Sequence, residues 1–103
     1  MPLNDFYQGE TLYLKQLFKV SGSAIDISSD SMMFNLKDET SIVLTSSLDV
    51  TTSGSNGYAI LNVSSSLTDI SAECYKYEFT WHRNNGEDYI VEQSSVNIKE
   101  RLD

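Results

Sequence analysis

Tyr75-Lys76-Tyr77-Glu78-Phe79-Thr80-Trp81-His82 carries an aromatic ring at every odd position and a polar side chain at every even one. Successive side chains of an extended chain point to opposite faces, so this stretch reads as a β-strand with one buried and one wetted face. Arg83-Asn84-Asn85-Gly86-Glu87-Asp88 follows, then a second apolar run, Tyr89-Ile90-Val91-Glu92. Asn85-Gly86 accepts positive φ cheaply at two successive positions, which predicts a hairpin turn. The returning strand continues through Ser95-Val96-Asn97-Ile98. Its apolar phase shifts between Val91 and Val96, which predicts a bulge near Gln93-Ser94.

The same period of two extends upstream. Thr11 to Val20 is one long strand with a change of phase midway, Ser21-Gly22-Ser23 a turn, and Ile25-Asp26-Ile27 a short extended piece. Ser31 to Lys37 alternates with Met32, Phe34 and Leu36 inward, and Ser41 to Thr45 follows the polar turn at Asp38-Glu39. The Ser/Thr/Gly/Asn stretch from Thr51 to Gly57 is a flexible connection, after which Tyr58 to Val63 resumes the strands with Leu61 and Val63 inward. One segment departs from the pattern. Ser66 to Glu73 sets a hydroxyl three residues before a carboxylate, a capping-box-like start, and spaces Leu67 and Ile70 for one helical turn on the core. About seven short strands at roughly ten-residue spacing, with one short helical turn, predict an all-β fold: a two-layer antiparallel β-sandwich, immunoglobulin-like in the loose sense. A small jelly roll or barrel is the alternative. The helical turn leading into an inward Tyr resembles the corner between the E and F strands of such domains, while a Cys…Trp…Cys spacing is missing.

The 103 residues are enough for one domain and one thin core, so residues 1–103 are read as a single, complete sandwich domain. The formal net charge of −8 disfavours nucleic acid and anionic membrane surfaces as partners. Cys74 is the only cysteine, so no intrachain disulfide forms; its place in a strand predicts a small buried hydrophobe. Met1-Pro2-Leu3-Asn4-Asp5 lacks the basic and apolar regions of a secretory signal, and no apolar run reaches membrane-spanning length. Cytoplasmic synthesis without export is the expectation.

Residues able to carry chemistry are present but not in productive patterns. One His and one Cys cannot make a zinc site. Asp26-Ile27-Ser28-Ser29-Asp30 alternates oxygen ligands, but an EF-hand counted from Asp26 meets Ser31 and Lys37 where Gly and Glu are needed. A looser calcium loop would draw on Asp26, Asp30, Asp38 or Glu39, although exposed acidic loops are ordinarily just solvated. His82 could in principle serve a serine together with Asp88 or Glu87, yet it falls on the polar face of its strand and reads as a solvent-facing histidine. No nucleophile elbow and no phosphate-binding Gly loop occurs; Ser53-Gly54-Ser55-Asn56-Gly57 opens a strand instead of a helix. No catalytic, cofactor-binding or metal-binding residue is therefore assigned, and no cofactor is expected.

The ladder Tyr75, Tyr77, Phe79, Trp81 is read as the inner face of a central strand in preference to a sugar-stacking platform. Met33, Val43, Tyr58, Ile60 and Ile90 are apolar at positions that alternate with core residues. If contiguous they would mark an interface. Met33, Tyr58, Ile60 and Ile90 are the candidate interface residues.

Tyr7-Gln8-Gly9-Glu10-Thr11, Ala24-Ile25-Asp26-Ile27-Ser28, Met33-Phe34-Asn35-Leu36-Lys37-Asp38 and Leu67-Thr68-Asp69-Ile70 with Tyr75-Lys76-Tyr77-Glu78 span most of the chain. Together with the Asn-Gly hairpin and final strand, they resemble the immunoglobulin-like N-terminal domains of tailed-bacteriophage baseplate upper proteins and related tail proteins. The chain departs from that pattern at Ala72-Glu73-Cys74, where the family usually has Gly, and in stopping soon after its last strand. The resemblance implies a non-enzymatic adaptor or structural subunit of a virion, in the tail, neck or baseplate. Its partners would be other virion structural proteins, further copies of itself included. The alternative function is a ligand-binding module, carbohydrate-directed, using aromatics such as Tyr58 or Tyr89.

Overall fold

The computed structural model describes residues 3–20 and 22–101. Strands β1 (Phe6–Tyr7), β2 (Leu12–Leu17), β3 (Lys19–Val20), β4 (Ser23–Ala24), β5 (Ser31–Lys37) and β6 (Ile42–Ser47) precede a 3-10 turn at Gly54–Asn56. Strand β7 (Tyr58–Val63), the one-turn helix α1 (Ser65–Thr68), β8 (Cys74–His82) and β9 (Asp88–Lys99) complete the order. One sheet runs β1-β9-β8-β5-β6, the other pairs β2 with β7, and β3 with β4 makes a small hairpin. The expected all-β sandwich is the fold.

Alternation decides which faces meet. Tyr75, Tyr77, Phe79 and Trp81 of β8 are all buried, as are Met32, Phe34 and Leu36 of β5. Ala59, Leu61 and Val63 of β7 meet them from the second layer in one apolar cluster. Phe34 and Phe79 are directly paired across β5 and β8, with ring centroids 5.1 Å apart. The Tyr77 ring stands edge-on to Phe79 at 5.7 Å. Tilted and edge-on aromatic pairs of this kind add about 0.5–1.5 kcal/mol to the burial of their area.

The corner between β7 and β8 is built on two hydroxyls. Tyr75 Oη donates to the carbonyl of Ser71 at 2.7 Å, which stitches the start of β8 to the loop four residues upstream. Thr68 is fully buried, and its Oγ1 donates to the carbonyl of Glu10 at 2.7 Å, tying the helical turn to the bend between β1 and β2. A Tyr at this corner, together with β5, β8 and β9 in one layer against β2 and β7 in the other, is the immunoglobulin-like arrangement.

Several details differ from the sequence-based reading. The large sheet is mixed, because β1 runs parallel to β9, pairing Phe6 with Ile98 and Tyr7 with Lys99; two residues are too short to show any alternation. The long first strand breaks at Phe18, whose N–H bonds to Gly57 and whose ring packs on Trp81 at 5.6 Å. Of the extended piece at Ile25 to Ile27, no part is strand; the short strand lies just before it. Within the helical turn Ile70 packs on the core, but Leu67 is exposed and Thr68 takes the interior place. Ser64 is the N-cap and makes no side-chain capping bond.

The connection expected to be flexible is ordered as well. Asp49 accepts from the amides and hydroxyls of Thr51 and Thr52, and the 3-10 turn ends at Gly57 with φ +88°. A Cβ on Gly57 would stand 3.0 Å from the carbonyl oxygens of both Phe18 and Ile25, so this glycine is required by contact and by conformation alike. Cys74 is exposed, contrary to expectation. It precedes Tyr75, and strict alternation sends it outward.

The bulge in β9 also lies elsewhere. Phe79 pairs with Glu92 and Thr80 with Ile90, so Val91 is the extra residue, two positions before the expected site. The displacement has a clear cause: Tyr89, Ile90 and Val91 are consecutive apolar residues, so the run itself does not reveal its phase. With the bulge at Val91, Tyr89 turns to the inner side opposite Trp81, at a ring distance of 5.7 Å, and Ile90 turns outward.

Candidate interaction surface

Register divides the four candidate interface residues between two surfaces. Met33, Thr80 and Ile90 lie in one row across β5, β8 and β9, on the outer face of the five-stranded sheet. Tyr58 and Ile60 lie on the outer face of the β2–β7 pair, opposite Leu17 and Lys15. The shared core separates the two faces, so the four do not form one patch. Val43 sits at an irregularity in the edge strand, where Leu36 pairs with Leu44 but Lys37 with Ile42.

Both faces carry exposed apolar side chains, Tyr13 at 60% exposure on the narrow one. On the narrow face Tyr58 and Ile60 are half-buried and Lys15 Nζ lies 4.8 Å above the Tyr58 ring, a cation–π contact that covers the aromatic. The wide face leaves Ile90 at 64% and Ile42 at 59% exposure, and at the β1 edge Tyr7 is exposed with Lys99 Nζ 5.6 Å over its ring. Three lysines, Lys37, Lys76 and Lys99, share it with three carboxylates, Glu78, Asp88 and Asp5, the last bonded to Asn97 beside Lys99. That balance is close to neutral in a chain of net charge −8. Sequence alternation places Met33 outward, the bulge in β9 turns Ile90 outward, and Ile42 and Tyr7 stand in no recognisable alternating run.

His82 and Asp88 pair on this face, Nδ1 to Oδ1 at 2.7 Å, and Ser31 occupies the same row. The row thus holds Ser, His and Asp on three adjacent strands. Among the described residues, Ser31 makes no hydrogen bond to His82, and both members of the His82–Asp88 pair are open to water, at 46% and 70% side-chain exposure. A triad works by activating its hydroxyl beside preorganised oxyanion donors in a water-excluded site, and here His82 and Asp88 are both open to water. His82 is the solvent-facing residue its strand position suggested.

The acidic residues considered for calcium are held apart and occupied. Asp26 accepts from the amide and hydroxyl of Ser28, and Asp38 from the amides of Thr40 and Ser41 and the Thr40 hydroxyl. These bonds favour the ionised forms and lower both carboxyls below the ordinary range, the Ser28 hydroxyl leading for Asp26 and the Thr40 amide for Asp38. Asp30 points inward to accept from Trp81 Nε1 at 2.8 Å and the Asn84 amide at 3.0 Å. Asp30 precedes β5 and Asp38 follows it, and a seven-residue strand spans about 24 Å. Among the described residues no three His, Cys, Asp or Glu side chains converge as a metal cluster would.

The aromatic ladder of β8 is core, so it offers no stacking platform. Tyr89 is the exposed ring nearest to it, and its hydroxyl donates to Glu87 Oε2 at 3.0 Å. That bond raises the Tyr89 pKa, while the Asn85 amide and the Tyr89 hydroxyl lower that of Glu87. No helix among the described residues is long and apolar enough to cross a membrane. No protein-family model matches the chain, and neither does any curated protein sequence.

Proposed function

We propose that this domain is a non-enzymatic structural or adaptor subunit acting through protein–protein contacts, in a phage virion as part of the tail, neck or baseplate. The observation that carries the protein–protein reading is the wide sheet face, near-neutral in an otherwise acidic chain, with exposed Ile42 and Tyr7 on its two edge strands and Ile90 between them. Exposed apolar side chains on a face of low net charge are what a protein partner would cover. The virion assignment rests on the resemblance of the chain's motifs to immunoglobulin-like domains of phage tail proteins, and the corner hydroxyl of Tyr75 agrees with that fold.

Mixing the purified chain with the structural proteins of its source particle and following co-sedimentation tests the proposal. Co-migration with a tail, neck or baseplate component is the expected result. A chain that sediments alone beside every structural protein, yet binds a glycan array, would replace this reading with the carbohydrate-directed module.

A further inference from the structure

We propose that Asn85 is a site of spontaneous deamidation, converted by water to aspartate and isoaspartate, and that the fold withholds the same reaction from Asn56. The inference is independent of what the domain binds. Asn-Gly occurs twice in the chain, at Asn56-Gly57 and at Asn85-Gly86. A glycine after asparagine puts no side chain in the way of the backbone nitrogen that must attack, so by sequence the two sites are equivalent.

The reaction closes a five-membered ring. The Gly86 amide nitrogen gives its proton to solvent base and attacks Asn85 Cγ. The N–Cγ bond forms, the Cγ–Nδ2 bond breaks, and Nδ2 leaves as ammonia after taking a proton from water. Water then opens the succinimide. Addition at Cγ restores the original main chain with aspartate in place of Asn85, whereas addition at the α-carbonyl routes the main chain through Cγ as isoaspartate. One water is consumed and one ammonia released, with no change of oxidation state.

Tertiary structure makes the two sites unequal. Ring closure swings the rigid peptide plane between the asparagine and the glycine, so the glycine must be free to move. Asn84, Asn85, Gly86 and Glu87 are all exposed, and a Cβ on Gly86 would meet nothing within 4 Å. The Gly86 N–H is held by one bond, to the Arg83 carbonyl at 3.0 Å. Asn85 Oδ1 accepts from the Glu87 N–H at 3.0 Å, which stabilises charge building on that oxygen as the nitrogen attacks. Asn85 Nδ2 donates to Glu87 Oε1 at 2.6 Å, a bond that must break as ammonia leaves. Exposed bonds like these exchange for bonds to water at little net cost. Gly57, by contrast, is buried. Its N–H bonds to the Gly54 carbonyl at 2.9 Å, its carbonyl takes the Phe18 N–H at 2.7 Å, and the carbonyl oxygens of Phe18 and Ile25 close over its Cα. Moving that peptide plane takes apart the junction of β7 with the end of β2, so Asn56 reacts only from a locally opened chain.

Incubating the full chain at neutral pH and body temperature, folded in buffer and unfolded in urea, reads the outcome. Trypsin then separates the two sites into peptides 84–99 and 38–76, and fragmentation mass spectrometry assigns aspartate and isoaspartate in each. In the folded chain Asn85 should convert about tenfold or more faster than Asn56, because only Asn56 has to wait for local opening. In urea the two should convert at similar rates, which shows that the difference belongs to the fold. Isoaspartate at the Asn85 position identifies the ring, since direct hydrolysis of the side chain yields aspartate only. Equal rates in the folded chain, or a faster Asn56, overturn the inference. So does an Asn85 that reacts in urea but survives in the folded chain, because the bonds to Arg83 and Glu87 would then hold the turn shut. Aspartate without isoaspartate overturns the attack by the Gly86 nitrogen.

Discussion

Trp81 and Asp30, 51 residues apart in sequence, are joined by a buried hydrogen bond from the indole Nε1–H to Oδ2 at 2.8 Å. Asp30 Oδ1 accepts from the Asn84 amide, and the Arg83 guanidinium lies 4.0 Å from Oδ2 while stacking over the Trp81 ring. One carboxylate thus anchors the β8–β9 hairpin to the loop entering β5. Replacing Asp30 with Ala strands the buried indole N–H and leaves Arg83 only Glu87, 3.8 Å away, as a counter-charge. The expected loss is about 2–3 kcal/mol in urea unfolding. A loss below about 0.5 kcal/mol would show that the hairpin is held by packing alone.

Phe79 is buried at the centre of β8 between Phe34 and Tyr77. Phe79→Ala should cost about 3–5 kcal/mol, the lost transfer energy plus the cavity left in a two-layer core. Unfolding free energies from urea titration measure it, and a cost within 1 kcal/mol would mean that the ring is not core.

Gly86 and Gly57 both have positive φ but should respond differently to substitution. The turn at Gly86 closes with its N–H on the carbonyl of Arg83, so the turn is centred on Asn84-Asn85 and Gly86 follows it at φ +91°. A Cβ there meets nothing within 4 Å, so Gly86→Val should cost only the conformational penalty, roughly 1–3 kcal/mol. Gly57→Ala adds a clash with two backbone carbonyls and should lower the melting temperature further, despite the smaller side chain. Equal melting temperatures for the two variants would refute the packing role of Gly57.

The turn carboxylates make stability depend on acid. Asp5, Asp26, Asp38 and Asp49 are all held below the ordinary aspartate value of 3.8, Asp49 by the Thr52 hydroxyl first and then the Thr52 and Thr51 amides. Each binds fewer protons folded than unfolded, so its contribution is fully present above the unfolded pKa and is lost as pH falls through the folded one. Melting temperature should be flat from neutrality to about pH 5 and then fall. Asp49→Asn should make that fall shallower. An unchanged acid limb in the variant would show that this turn is not populated in solution.

Chelation provides the check on the acidic loops. Because Asp26, Asp30 and Asp38 already have donors of their own, EDTA should leave the melting curve in place, and added calcium should not raise it. A fall of several degrees with EDTA, reversed by calcium, would mean that these turns rearrange around an ion.

The alternation at Tyr75 to Trp81, and its weaker echoes at Met32 to Leu36 and Ala59 to Val63, determined the layer structure, because a period of two commits a strand to one buried face whatever its neighbours are. The same rule applied to Cys74 would have placed it outside, since it is out of phase with the ladder that follows. What alternation could not supply was pairing. The phase of Tyr89-Ile90-Val91 is undefined within its own apolar run, and only the bulge against Phe79-Thr80 sends Ile90 outward and Tyr89 inward. Likewise, Met33 with Ile90 and Tyr58 with Ile60 are alike as residue types. They fall on opposite sides of the molecule because strand order across a sheet is set by contacts distant in sequence, such as Phe34 on Phe79 and Trp81 on Asp30, which no local pattern encodes.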